Sequence, residues 1–374
     1  MYESIVIGAG QAGLSASYHL QQRGIHHVVL DHNAAPGGAW QHRWPELTMN
    51  DVHRVAELPD GVAPAASGEP ARTAVPTIFD DYERLHALPI LRPVTVTRVN
   101  NQRGLLQVHA ADGREWLTQT LVNATGTWTQ PFVPHIPRIR EFAGEQFHTA
   151  TYPGREYLRG KHVIVVGAGA SAVQFSGQLA PITRTTWVTR REPEWRTDEF
   201  TPEIGAAAVA RVEERVAQGF APASVVSVTG LQLREQEKEA AALGAYRSPR
   251  RMFSSIEPTG VRWADGTFLA ADVILWATGF RPAVAHLAPL RLRSEHGGIQ
   301  LTQRGRGTQA ALDARVQLVG YGPSASTIGA NRASRRAAIG VRNFLQRHNS
   351  VSTSAATATI PAVASAAIAV SPTT

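Results

Sequence analysis

Two stretches of this chain are versions of one pattern: SIVIGAGQAGLSASYHL (Ser4 to Leu20) and HVIVVGAGASAVQFSGQL (His162 to Leu179). Each is a β-branched run that breaks at a glycine turn and continues with helical spacing. Each is followed by a second apolar strand, HHVVLD (His26 to Asp31) or RTTWVTR (Arg184 to Arg190). Strand, glycine turn, helix and returning strand form the opening of a dinucleotide-binding unit. Its double occurrence predicts an α/β chain with two Rossmann-like dinucleotide-binding domains of three-layer ββα type, and two bound nucleotides. A length of 374 residues suits two domains, or one domain interrupted by another.

The glycines carry the chemistry. Gly8 permits the tight turn, Gly10 lets backbone amides approach a pyrophosphate, and Gly13 lets helix and strand pack closely, with Gln11 and Ala12 opening the helix between them. Asp31 ends the second strand about 20 residues on, where an acid accepts hydrogen bonds from ribose hydroxyls and repels a 2′-phosphate. FAD or NAD is therefore expected in this half. The second copy reads Gly167, Gly169, Ala170, Ser171, Ala172, and Arg190 and Arg191 stand where the acid would be. A guanidinium pair grips a 2′-phosphate, so NADPH is the expected ligand, although a plain surface arginine pair reads the same way. Beyond Asp31, Gly37 and Gly38 permit another close backbone approach and Trp40 offers a flat apolar surface; a loop glycine pair and a core tryptophan are the plainer alternative.

Further strands fall into place around these units. VTVTRV (Val94 to Val99) and LLQVHA (Leu105 to Ala110) predict a hairpin ahead of a run ending in Ala124-Thr125-Gly126, and VRWADGTFLAADVILWATG repeats the arrangement, ending in Thr278 and Gly279. Gly126 and Gly279 are read as the points where the chain passes between domains. The segment from Glu192 to Arg250 has helical character, broken at VAQGFAPAS, with REQEKEA as a solvated face. From Ser350 the Ser/Thr/Ala/Pro composition predicts a disordered tail.

Composition narrows the function. The chain is 43% hydrophobic and 18% charged, with a formal charge of +7 that is almost all arginine, lysine occurring only at Lys161 and Lys238. The arginines are scattered among acids rather than gathered in a run or helix stripe, so no nucleic-acid partner is expected. The absence of cysteine removes disulfide scaffolds, thiol nucleophiles and redox-active C-x-x-C pairs. Fourteen histidines show no ligand spacing, and no metal site is expected. A strand in the first eight residues leaves no room for a signal peptide, and AATATIPAVASAAIAV is too short and interrupted by Pro361 for a membrane span. A cytoplasmic enzyme without a membrane partner is the expectation.

Between the two units stands FAGEQFHTATYPG, Phe142 to Gly154, which follows neither the helical nor the strand period and reads as a connection. Phe142, Gly144, His148 and Tyr152 match F-x-G-x-x-x-H-x-x-x-[YF], and with this motif the chain resembles the flavin-containing monooxygenases. GAGQAG, GGAW, GAGASA and both Ala-Thr-Gly segments carry the resemblance across roughly residues 1 to 345. It implies an FAD domain (1–157 and 281–349) interrupted by an NADPH domain (158–280), with 350–374 as the tail. It also implies a cycle in which NADPH reduces FAD, dioxygen adds to form a flavin 4a-hydroperoxide, and one oxygen passes to a nitrogen, sulfur or activated carbon. Dioxygen and a small-molecule substrate are then the partners, with a homodimer left open.

The resemblance also implies roles for single residues. His148 sets the geometry between domains rather than giving a proton. Asn50 falls where these enzymes place an asparagine near the flavin, although Asn-Asp is also ordinary loop chemistry. GYGPSAST, with Gly320 and Gly322, returns the chain to the FAD, and the helix after Ser326 offers its amides. Tyr152 stands where Baeyer-Villiger relatives carry Trp, which points to heteroatom or YUCCA-like oxidation. Two alternatives remain: a flavoreductase without oxygen transfer, and a non-catalytic regulatory flavoprotein.

The arginine pair makes a direct prediction. Catalytic efficiency with NADPH should exceed that with NADH by about tenfold or more, the scale of one charge-assisted hydrogen bond. Equal efficiencies would remove the 2′-phosphate role of Arg190 and Arg191.

Overall fold

The computed structural model of this chain describes residues 1–52, 55–196, 202–223, 231, 233, 235–302 and 307–357. Two parallel sheets share one plan. In the first, β1 (Tyr2–Ile7) lies between β2 (His27–Leu30) and β6 (Glu115–Asn123); β3 (Ile90–Leu91) extends it beyond β2, and β16 (Asp313–Leu318) beyond β6, with β15 (Gln309–Ala310) antiparallel at the edge. In the second, β8 (His162–Val166) lies between β9 (Arg184–Thr189) and β14 (Val273–Trp276); β10 (Arg250–Arg251) and β7 (Glu145–His148) take the edges. Both sheets are covered on two faces, which is why Ile5, Val6, Ile164 and Val165 are all fully buried and their strands read as unbroken apolar runs.

The meander before each Ala-Thr-Gly is also present twice. β4 (Val96–Gln102) and β5 (Leu105–Ala110) pair antiparallel and lead into β6. β11 (Ser255–Glu257), β12 (Gly260–Arg262) and β13 (Phe268–Ala270) do the same before β14. α1 (Gln11–Gln21) follows β1 and α3 (Ala170–Leu179) follows β8, as the glycine patterns predict. The remaining helices are α2 (Ala71–Leu85), α4 (Pro202–Ala217), α5 (Glu235–Ala242) and α6 (Thr327–Thr357). On α6, Ala330, Ala333, Ala337, Ala338, Val341 and Leu345 recur with the helical period, and all are buried against the first unit. Among the described residues no helix is long and apolar enough to cross a membrane.

The structure departs from the sequence reading in three places. FAGEQFHTATYPG is not only a connection: Glu145–His148 forms β7, parallel to β14. A four-residue edge strand with a burial pattern of half, exposed, half and buried has no hydrophobic period to announce it. By sheet membership the second unit thus begins at Glu145, ahead of residue 158. Secondly, α6 runs on to Thr357, eight residues into the segment expected to be a disordered tail; 358–374 lies outside the described residues. Lastly, the charged face of α5 is only partly solvated. Glu237 is 1% exposed, because α5 packs on α3 where Ala240 meets Gly177.

One aromatic cluster joins the units. Phe175 on α3 is fully buried, with its ring 4.8 Å from Trp44 and 4.5 Å from Tyr152. Trp44 follows the GGAW turn of the first unit and Tyr152 closes the motif, so this one ring ties α3 to two other parts of the chain. Phe175→Ala should destabilise the protein by about 3–5 kcal/mol. In urea denaturation the single transition should become two; a single transition at the original midpoint would deny Phe175 that role.

Candidate dinucleotide sites and the crossing between them

At the first glycine turn the backbone leaves no room for side chains. Gly8 has φ 97°, and a Cβ there would lie 2.7 Å from the Ala124 carbonyl oxygen; one on Gly13 would lie 1.8 Å from the Gly8 oxygen. Gly10 differs, because the nearest atom to its Cβ position, the Gly38 Cα, is 4.0 Å away. Gly38 itself is held there by the close approach of the GGAW turn, its own Cβ position being 2.8 Å from the Gly10 Cα. Gly10 is the N-cap of α1, has no capping side chain, and is followed by no acid in the first turn. The first amides of α1, at Gln11, Ala12 and Gly13, therefore meet an open cradle with a positive field, which suits a pyrophosphate.

The second turn repeats this. Gly167 has φ 146°, and a Cβ would lie 2.3 Å from the Ala277 oxygen. Trp187 Nε1 donates to the Gly167 oxygen at 2.7 Å. Gly169 faces space with no atom within 4 Å of its Cβ position, and it begins α3 without a capping side chain or a nearby acid. Ala170 and Ser171 open that helix, while Ala172 is fully buried, its methyl filling the place of a third glycine. Both turns fit a dinucleotide diphosphate.

The strand-end charges are arranged less symmetrically. Arg190 and Arg191 are exposed just beyond β9, and Arg251 of β10 pairs level with Thr189 at the same sheet edge. Asp31 does end β2, but its side chain is only 2% exposed and Arg92 Nε donates to it at 2.9 Å. The other two Arg92 nitrogens grip Glu83 at 2.6 and 2.7 Å. Asp31 Oδ1 accepts from Asn33 Nδ2 at 3.3 Å and has His32 Nδ1 3.7 Å away, and it keeps acceptor capacity for a ribose hydroxyl. Burial pushes Glu83 up against the opposing pull of Arg92.

The two Ala-Thr-Gly segments meet each other. The Ala283 amide donates to the Gly126 oxygen and the Phe132 amide to the Gly279 oxygen, both at 2.9 Å, with Pro131 and Phe280 bridged antiparallel. Thr125 Oγ1 donates to the Ala283 oxygen at 2.7 Å, and the Thr278 hydroxyl donates to the Phe132 oxygen. The motif clamps this crossing. His148 Nδ1 accepts from the Ala150 amide at 3.1 Å, so the proton sits on Nε2, which donates to the Gly279 oxygen at 3.0 Å. Burial lowers the His148 pKa. Phe142 packs in the second unit's core, and a Cβ on Gly144 would lie 2.4 Å from the Asp272 oxygen. Tyr152 packs on Phe175 with its ring tilted by 40°.

Around the crossing lies an aromatic and cationic wall. Trp128 stacks on Phe280 at 4.9 Å, and the Arg43 guanidinium lies 4.5 Å over Trp128 and 5.4 Å over half-buried Trp40. Burial alone pulls Arg43 down to about 10. Asn50 is exposed, its backbone amide donating to the Ser67 oxygen at 2.9 Å, and the backbone oxygen of its neighbour Asp51 accepts from Gln174 of α3 at 3.2 Å. This places Asn50 on the first unit where it abuts the second. Gly322 is buried, with its Cβ position 2.9 Å from Val216 of α4. Ser326 Oγ accepts from the Gly329 amide at 3.1 Å, so α6, unlike α1 and α3, is capped by its own chain. Gly320, beside Ala12, is the glycine of that segment that reaches the first turn.

Sequence reading missed Arg43, Arg92, Asn123, Trp128, Arg251 and His286. Arg43, Asn123 and Trp128 had a signal, their adjacency to GGAW or Ala-Thr-Gly. Asn123 Oδ1 accepts from His286 Nε2 at 2.7 Å while its Nδ2 donates to Thr125 Oγ1 at 3.0 Å, a contact across 163 residues that no local pattern encodes.

Comparison with known proteins agrees with this geometry. The pyridine nucleotide-disulphide oxidoreductase family matches residues 2–312. A flavin-containing monooxygenase from Stenotrophomonas maltophilia superimposes with a TM-score of 0.79 and 34% identity, covering 92% of this chain and 99% of its own. The uncharacterized oxidoreductase CzcO of Bacillus subtilis (strain 168) is 26% identical over 290 residues, 75% of this chain and 82% of that protein. Indole-3-pyruvate monooxygenase YUCCA1 of Oryza sativa subsp. japonica is 30% identical over 182 residues, 47% of this chain and 44% of its own.

His286 makes the crossing sensitive to acid. Burial pushes it from 6.5 down to about 4. A folded pKa below the unfolded one means that its stabilising share is complete above pH 6.5 and is lost as pH falls toward 4. Urea denaturation should show about 2 kcal/mol less stability at the low end of that window, after discounting for residual exposure. His286→Gln should flatten the profile; an unchanged slope would assign the effect elsewhere.

Proposed function

We propose, for a chain that belongs to the pyridine nucleotide-disulphide oxidoreductase family and to the flavin-containing monooxygenases, that FAD binds at the first glycine turn and NADPH at the second. The reaction is insertion of one oxygen atom from dioxygen into a small nucleophilic substrate at nitrogen, sulfur or activated carbon. The dithiol chemistry in the first family's name is unavailable, because the chain has no cysteine.

The observation that carries this reading is that the chain crosses twice at the mouths of two open glycine cradles. β6 and β14 deliver Gly126 and Gly279 from the C-terminal ends of the two sheets, and those ends are where dinucleotides lie in such folds. Two ligands held there face a common space. FAD, when bound, supplies acceptance of a hydride from the nicotinamide and reaction of the reduced ring with dioxygen. The chain's part is to bind, orient and exclude water. The amides at Gln11 to Gly13 and at Ala170 to Ala172 hold the diphosphates, Asp31 takes the first ribose, and Arg190 and Arg191, with Arg251 beside them, take a 2′-phosphate. Trp40, Trp128, Phe280 and Arg43 wall the space between.

His148 works by position. Both of its ring nitrogens are engaged, one accepting and one donating, so no proton is free for transfer without breaking the link to Gly279. Asn50, by contrast, has an exposed amide at the junction and can donate to an oxygen while accepting from the nicotinamide side.

Purified protein should be yellow, bleach with NADPH, and transfer one atom of labelled dioxygen to a thioether or indole substrate. Rapid bleaching with dye reduction and no labelled product would assign it as a flavoreductase instead. Asn50→Ala should raise hydrogen peroxide released per NADPH oxidised by about tenfold, the loss of one well-placed hydrogen bond. Unchanged coupling would discard that role.

A further inference from the structure

Arg43 is a cation without a counter-charge. Elsewhere this chain supplies carboxylates to arginines that it draws out of water. Arg92, 12% exposed, holds Asp31 at 2.9 Å and Glu83 at 2.6 Å, and Arg315, 18% exposed, holds Asp313 at 2.6 Å. Arg43 is half-buried, its guanidinium 4.5 Å over Trp128 and 5.4 Å over Trp40, and no side chain or carbonyl among the described residues accepts a hydrogen bond from it. Its Nε is enclosed with no partner. Nη1 and Nη2 are also unpartnered but not enclosed, so both ends of the fork reach open space. Burial alone pulls the pKa down to about 10, which leaves the group cationic at neutral pH. An ion taken out of water is held at a cost unless an anion pairs with it, and two ring faces offset only part of that.

Trp128 fixes where this charge stands. Its ring stacks on Phe280 at 4.9 Å, and Phe280 meets His148 edge-on at 4.9 Å, so the guanidinium belongs to the crossing between the units. The diphosphate cradles lie at the N-termini of α1 and α3 and have amide donors of their own. The fork therefore opens on the space that the two cradles share, where a substrate meets the flavin under the function proposed above. One guanidinium over these rings neutralises one negative charge, and its planar fork matches a carboxylate. Trp40, Trp128 and Phe280 beside it suit an apolar body attached to that acid group.

We propose that Arg43 recognises a carboxylate on the substrate, so that this chain acts on small nucleophiles carrying an acid group on an apolar frame. This rests on the oxygen-transfer reading and names its substrate class.

Binding is measured by calorimetry on the oxidised, FAD-loaded protein, without NADPH, using the thioether acid (methylthio)phenylacetate and its neutral amide. The carboxylate is expected to bind about tenfold or more tighter than the amide, the scale of one charge-assisted hydrogen bond. Arg43→Gln should erase that difference by weakening the carboxylate alone, with flavin content as in the unaltered protein. Equal binding of the two ligands to the unaltered protein, no binding of either, or equal loss of both in the folded variant would overturn the proposal. Loss of flavin from folded Arg43→Gln would overturn it too, assigning the guanidinium to a cofactor phosphate. Should that variant not fold, Arg43→Lys keeps the charge without the fork and should weaken the carboxylate alone by about threefold or more; equal weakening of both ligands would then overturn the proposal. No oxygen is transferred in these titrations, so they fail separately from the labelled-dioxygen experiment. A carboxylate preference with no labelled product would remove the monooxygenase assignment and leave the recognition by Arg43 standing.

Discussion

The bond from His148 Nε2 to the Gly279 oxygen is the contact on which the relation between the two units turns. It joins the strand β7, the motif and the returning chain at one point, and the Ala150 amide fixes the tautomer that makes it possible. Around it the two crossings brace each other through Ala283 with Gly126 and Phe132 with Gly279. These bonds are backbone to backbone, so they hold whatever the side chains nearby. His148 adds a polar side chain that ties the motif to that brace, and Phe175 adds an apolar counterpart.

Charge is distributed by the same logic of position. The first unit buries its strand-end acid in an Asp31–Arg92–Glu83 cluster, leaving one oxygen with capacity to spare. Desolvated ions hold only when paired, and Arg92 supplies the pairing from just beyond β3, the strand beside β2. The second unit leaves its arginines in water and recruits Arg251 from a parallel neighbour. Arg43 is the exception, a cation set between two tryptophan rings with its pKa lowered by burial.

Legibility tracked the locality of the interactions. The glycine turns, both central strands and both meanders could be read because each is specified within some 30 residues by turn chemistry and period. β7 was invisible, since its partner β14 lies more than 120 residues away and its side chains show no alternation. The packing of Gly322 against Val216 was hidden for a related reason, since α4 lies far earlier in the chain. The Asn123–His286 contact is likewise a product of folding, pairing residues 163 apart.

By itself, then, the sequence determined that this is a two-nucleotide α/β chain without thiol chemistry, because glycine spacing, strand-end charge and the absence of cysteine are properties of residues in order. Only the tertiary structure decided which groups meet at the mouths of the two cradles and how Asp31 is already engaged. Those depend on which distant backbone segments pack together, and packing is settled by shape and burial over the whole chain rather than by any one stretch of it.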